Sequence, residues 1–238
     1  MPMKWRFLKL DWRYALGELA IVTAGVLIAL AINEWNTDRI ERAEEHLIVE
    51  RLLSDLSQIQ RSVEFFLNGI PEKEERLQRV YSVLRSSDGQ LADPSQFLAD
   101  VIGGAWGGWS QLNSGRSTYN ELLASGRFNL IRDDEVRLTV SRFFDTYQNS
   151  AIRVDERETL YPDISYRLVP RGEEFSLRSG LEPSEVTSLV DQILDSSLSE
   201  HVISELNFAG FLRDQLIELG RECDQTIDRL RLYLSETG

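Results

Sequence analysis

From residue 14 the chain reads YALGELAIVTAGVLIALAI, nineteen positions interrupted by a single charge, Glu18. At about 1.5 Å per residue such a helix is roughly 28 Å long, close to the hydrocarbon thickness of a bilayer. No later stretch is as long and apolar, so the pattern predicts one membrane pass over 14–32. Beyond Ile32 the helical period does not stop. Ile40, Ala43, Leu47, Leu52, Leu56, Ile59, Val63 and Phe66 recur mostly at three- and four-residue steps with charges between them, the signature of an amphipathic helix. The membrane segment and this first external helix are therefore expected to form one rod, stopped by Asn68-Gly69 and Pro71. A second helix over 72–85, with Leu77, Val80, Tyr81 and Leu84 on one face, is expected to run back antiparallel to it until Ser86-Ser87-Asp88-Gly89 ends it.

The remaining pattern is also helical. Asp93-Pro94 reads as an N-cap followed by proline at the first helical position, opening a short helix to about residue 102. Gly103-Gly104-Ala105-Trp106-Gly107-Gly108-Trp109 is too glycine-rich to hold a helix and allows close backbone approach. A helix follows over 117–125, ended by Gly126. A longer one starts at Asp133 or Asp134, carries Val136, Val140, Phe143, Tyr147, Ala151 and Val154 on one face, and ends before Pro162. Residues 161–183 read as a long connector, and Pro183 opens a helix through residue 194. The last helix places Phe208, Leu212, Leu216, Leu219, Cys223, Ile227, Leu230 and Leu234 along a narrow seam. No strand-period segment competes. The expected fold is all-α, with the first rod, the 133–160 helix and the 198–234 helix packed as a bundle.

Composition sets limits on this picture. The 238 residues carry 26 Lys and Arg against 39 Asp and Glu, a net charge of −13, and are 42% hydrophobic. That is enough apolar material for a core, and the acidic balance argues against a nucleic-acid footprint. The charge is unevenly placed. Lys4, Arg6, Lys9 and Arg13 against Asp11 give the first thirteen residues +3. Arg39 and Arg42 against Glu34, Asp38, Glu41, Glu44 and Glu45 give 33–47 a charge of −3. The Lys/Arg bias places a tail, 1–13, in the cytoplasm and 33–238 outside, in the periplasm of a bacterium with two membranes. Trp12 and Tyr14 before the span and Trp35 after it suit the aromatic belts at the two interfaces. A cleaved signal ending in Ala29-Leu30-Ala31 is the alternative, but the run lacks a polar region before that site. Glu18 lies little more than one turn beyond Arg13, where its carboxylate can snorkel to the interface. Gly17, Ala20, Ala24 and Ala31 form a small-residue stripe that would let a second helix approach.

Chemistry is sparse. Cys223 lies on the last helix's seam between Glu222 and Asp224, a setting for a buried structural thiol rather than a nucleophile. His46 precedes Glu50, and His201 precedes Glu205, by four residues. Four ligands could converge if the two helices packed together, yet the spacing differs from that of carboxylate-bridged bundles, and neither metal nor other cofactor is expected. Phosphate-cradling loops, nucleophile elbows and zinc-protease motifs are absent. Candidate ligand-binding residues are therefore Trp106, Trp109, Arg116 and Tyr119, around the glycine-rich stretch and the helix after it. The bland account of that stretch is that both indoles serve the core.

Gly17-Glu18, Ile32-Asn33-Glu34-Trp35-Asn36, Thr118-Tyr119-Asn120-Glu121-Leu122, Ser125-Gly126 and Leu130-Ile131 resemble a family of uncharacterised bacterial single-pass membrane proteins, a domain of unknown function. The likeness covers most of 10–150. It implies a short cytoplasmic tail, one membrane helix and a helical extracytoplasmic domain, and it brings no catalytic residues. The expected role is a non-enzymatic, membrane-anchored interaction or scaffold protein, homo-oligomeric or joined to a membrane-protein partner. A ligand-sensing bundle that signals through a partner is the alternative.

Overall fold

The computed structural model describes residues 12–86, 91–106, 115–173 and 176–237, with side chains from Leu16 onward. Among these residues the chain forms α1 (Trp12–Arg85), α2 (Pro94–Gly104), α3 (Ser117–Ser125), α4 (Asp134–Asp155), α5 (Tyr161–Leu168), α6 (Pro183–Leu194) and α7 (Leu198–Thr237). A 3-10 turn, Arg127–Leu130, follows α3. The extended structure seen is one isolated antiparallel bridge between Arg171 and Leu177. The fold is all-α, as the hydrophobic period predicts.

The chain divides into two units, Met1–Ile48 and Val49–Gly238. In the first, every described side chain from residue 16 to residue 32 is exposed. An eighteen-residue window of this stretch reaches a mean hydropathy of 2.0 with none of it buried. Apolar surface of that extent is not left to water by a stable protein. This helix is long and apolar enough to cross a membrane.

The second unit is built on two seams. In α1 the buried positions are Val49, Leu52, Leu56, Ile59, Val63, Phe66, Ile70, Lys73, Leu77 and Val80, in strictly alternating steps of three and four. In α7 they include Leu198, Val202, Glu205, Ala209, Leu212, Leu216, Leu219, Cys223, Thr226, Leu230 and Tyr233, with the same alternation. A 3.5-residue repeat keeps one stripe of each helix facing its partner. The seams run antiparallel: the Cys223 thiol donates to the Leu56 carbonyl at 3.4 Å, and Arg213 reaches Glu74 at 2.8 Å. The third long helix, α4, buries Val136, Val140, Phe143, Phe144, Tyr147 and Val154. Its N-cap Asp133 accepts from the Val136 amide at 2.9 Å and from Arg229 at 3.0 Å, which fixes the start of α4 against the end of α7. Helix α3 closes this end, with Tyr119 stacked on Phe144 at 4.2 Å and the Thr118 amide donating to Asp55 at 2.9 Å.

A further core forms where α2, α5 and α6 gather around the C-terminal part of α1 and the start of α7. It includes Leu77, Val80, Leu98, Val101, Tyr161, Ile193, Leu198 and Val202. Asp100 holds α2 to α1 by accepting twice from the Arg79 guanidinium, at 2.7 and 2.8 Å. Gly104 lets the two helices close up, because a β-carbon there would stand 2.7 Å from Leu77. Asp93 caps α2 by accepting from the Gln96 amide at 3.0 Å, and α3 ends at Gly126 with φ of 69°.

Four sequence expectations need correction, the smallest being that Gly103 and Gly104, expected outside any helix, form the last turn of α2. The break at Asn68-Gly69 and Pro71 is not a helix end, for Pro71 lies inside α1. The reason is quantitative: an interior proline costs about 3 kcal/mol, whereas each large apolar side chain buried on its flanks returns about 1.5–3 kcal/mol, and Phe66, Ile70 and Leu77 are all buried. Residues 72–85 therefore do not fold back, and the antiparallel partner of α1 is α7. The stretch 161–183 is not all connector, since α5 occupies Tyr161–Leu168 with Pro162 in its first turn. The α7 seam ends on buried Tyr233 rather than on half-buried Leu234.

The seam assignment predicts unequal costs at adjacent positions. Leu216→Ala, at a fully buried position, is expected to lower stability by about 2–5 kcal/mol. Ile217→Ala, at a residue 54% exposed, is expected to change it by about 0.5 kcal/mol or less. Urea titration of the two full-length variants in detergent checks the difference, and equal losses would refute the seam.

Candidate functional site

Lysine occurs at positions 4, 9 and 73 only, against 23 arginines. Beyond the basic N-terminal tail, then, the chain uses lysine once, and that residue is 1% exposed. The α1 stride puts Lys73 on the seam, where the α7 stride also puts Glu205, itself 0% exposed. The Lys73 ammonium donates to Glu205 Oε1 and, at 2.6 Å, to the Trp106 carbonyl just past α2. Glu205 Oε2 accepts from the Thr159 hydroxyl before α5, and Thr159 Oγ1 in turn accepts from the Tyr161 amide at 3.2 Å. The Phe208 ring lies 5.9 Å from the ammonium. Four elements thus meet at one charge pair. A compact ammonium suits this position, since it can turn its rotatable donors to two acceptors on different elements.

Burial pulls the Lys73 ammonium below the ordinary lysine range, and the attraction and hydrogen bond of Glu205 pull it back up. Nearby, burial pushes the Glu158 carboxyl upward, with Asp155, Glu205 and Asp163 adding repulsion. Tyr161 donates from its hydroxyl to the Val101 carbonyl at 3.1 Å, and burial raises its phenol as well. Chemically the centre is a neutralised ion pair with filled hydrogen bonds, suited to fixing the helices in one register.

Two clefts border it. One, about 470 Å³, is lined by Lys73, Arg76, Ile102, Trp106 and Leu177 among others. The other, about 500 Å³, is lined by Glu158, Thr159, His201, Ser204, Asn207 and Phe211 among others. Both volumes fall within the range of small-molecule sites.

The residues expected to bind a ligand are not gathered by the fold. The Trp106 ring stacks on Phe66 at 5.4 Å and edges Phe65 at 6.0 Å, while its carbonyl serves Lys73. Arg116 and Tyr119 lie instead beside α4: Arg116 donates to Gln148 at 2.6 Å and sits 5.3 Å from the Tyr147 ring, whose hydroxyl burial pushes up to about 12. Trp106 thus packs near residue 66 of α1, and Thr118 and Tyr119 near residue 55, a separation of about 16 Å along that helix. Trp109 lies outside the described residues. Of the interface residues, Glu18 and Trp35 are exposed, with Arg39 5.6 Å from the Trp35 ring; the side chains of Trp12 and Tyr14 lie outside the described set. Glu205 is engaged by Lys73 rather than paired with His201 as a ligand, and among the described residues no group of three or more His, Cys, Asp or Glu could hold a metal. Cys223 is fully buried, and its thiol is pushed up to about 12, chiefly by burial and also by Asp224.

Comparison with family models, with curated proteins and with solved structures finds no match. No local motif marks the centre in the sequence, although a lone lysine on an otherwise apolar stride is a usable signal.

A buried pair predicts strong coupling. Lys73→Met or Glu205→Leu alone strands one buried charge and is expected to cost about 3–5 kcal/mol, whereas the double variant returns to within about 1 kcal/mol of the parent. Denaturation of the four proteins measures this, and additive losses would show that the residues do not interact.

Proposed function

We propose that the protein is a single-pass, membrane-anchored interaction protein without catalytic activity of its own, with its N-terminus in the cytoplasm and residues 33–238 outside. The observation that carries this reading is the exposed apolar stretch at 16–32, which needs lipid around it, joined in sequence to a charged helical unit. The basic residues before the span and the acidic ones after it favour this orientation. The scaffold role follows from the chemistry: the best-built polar centre, Lys73 with Glu205, has its groups committed to one another. Long helices leave ample surface for a partner or a second copy.

A second reading, ligand sensing, is favoured by one specific feature. In the 500 Å³ cleft, His201, Ser204 and Asn207 of α7 line the wall with Glu158 and Phe211, whose ring is covered by Arg157 at 4.1 Å, a mix of polar and aromatic groups of the kind small-molecule sites use.

The first reading predicts that the full-length protein stays with membranes washed at alkaline pH, that protease added to spheroplasts digests residues 33–238, and that crosslinking captures a discrete oligomer or one partner. Release by the wash, protection from the protease, or monomers alone would contradict it. The second predicts that some member of a broad metabolite panel raises the melting temperature and that Asn207→Ala removes the shift; no shift from any member counts against it.

A further inference from the structure

We propose that the unit Val49–Gly238 carries a hinge at one level across both long helices, at Gly69-Pro71 in α1 and Gly210 in α7, and that the residue just past α2, Trp106, is the latch that holds it closed. Three independent features converge there. Pro71 has no N–H, so the Leu67 carbonyl lacks its normal helical donor inside a 74-residue helix, fourteen residues before its end. Gly69 lies two residues earlier, bare where the Trp106 ring packs against the helix.

In α7 the matching weak point has no packing reason. With α1 and α7 antiparallel and joined at Lys73 to Glu205 and at Val63 to Gly220, the segment 69–71 faces α7 between 205 and 220. Gly210 lies in that interval. A β-carbon at Gly210 would meet only the end of the Arg213 side chain, at 3.9 Å, so an alanine would fit. Glycine inside a helix is intrinsically unfavourable relative to alanine. Where space does not demand it, what it contributes is flexibility.

Trp106 spans the α1 break. Its ring fills the space at Gly69, where a β-carbon would lie 2.5 Å from ring carbon Cη2, and it stacks on Phe66 before the break. Its carbonyl accepts from Lys73 after the break. One residue therefore ties both sides of the proline together. Leu77, Leu98, Ile193 and Val202, on the far side of the hinge level, belong to one apolar cluster, while Ile70, Ala209 and Leu212 stay buried at the level itself. The polar Lys73–Glu205 pair lies next to this level on the same two seams.

Hydrogen exchange of the full-length protein in detergent, read by mass spectrometry, tests this. The expected result is exchange at 67–75 and 206–214 at least tenfold faster than at 52–63 and 216–227. Trp106→Ala should speed both hinge segments a further tenfold while leaving 134–155 unchanged. Combining Pro71→Ala with Gly210→Ala should slow both segments at least tenfold, with or without the Trp106 change. If Trp106→Ala does not fold, Trp106→Phe, which shortens the ring over Gly69, is expected to give a smaller acceleration at the same two segments. Uniform protection along α1 and α7, a Trp106 effect spread equally over all helices, or no slowing by the paired alanines would overturn the proposal.

Discussion

The unit Val49–Gly238 depends on one constraint: two long antiparallel helices must meet with a lysine opposite a glutamate. Both seams repeat every 3.5 residues, so an apolar-only interface would tolerate a slip of one heptad with modest loss. Lys73 and Glu205 remove that freedom. A slip would leave an ammonium and a carboxylate buried among leucines and valines, and each would lose several kcal/mol of compensation. The pair fixes register more than it adds stability. A well-packed apolar pair of similar volume would serve stability as well or better.

The other elements follow from that register. Once Glu205 is placed, Thr159 reaches its second oxygen, which sets the start of α5. Once Lys73 is placed, its remaining donor capacity takes up the Trp106 carbonyl, which sets the end of α2. Asp100 and Arg79 then hold α2 along α1, and the α2, α5 and α6 core closes over Leu77 and Val80. At the other end the register brings Cys223 to Leu56 and Arg229 to the cap of α4. Surface ion pairs such as Arg76 with Glu72 and Arg137 with Asp134 add little to this, because exposed pairs contribute about 0–1 kcal/mol.

Much of the fold is legible in the sequence because helical period is a local signal. The strides of α4 and α7, the caps at Asp93 and Asp133, the proline openings of α2 and α6, and the apolar run at 14–32 all lie within a few turns of chain. The misreadings are places where tertiary packing overrides a local rule. Pro71 looks like a stop, but the stride of Phe66, Ile70, Lys73 and Leu77 continues through it. Pro162 looks like the end of one helix when it opens the next, as Pro94 and Pro183 do. The candidate site was harder to read. Lys73 and Glu205 are separated by 132 residues, and one glutamate among 39 acidic residues carries no mark until its seam position is known. Trp106 was legible as a core aromatic, but its carbonyl's service to Lys73 was not. Conversely, Arg116 and Tyr119 stand close to Trp106 in sequence and pack against a different length of α1.

The central claim is that Lys73 and Glu205 form the buried pair that registers α1 against α7, and the three lysines make it directly measurable. With nitrogen-15 confined to lysine, NMR of the full-length protein in detergent resolves each ammonium. The account predicts one ammonium, assigned by its loss in Lys73→Met, whose protons exchange with water far more slowly than those of Lys4 and Lys9 and show contacts to Glu205 and Thr159. Three ammonium groups exchanging alike, without contacts to α7, would contradict it.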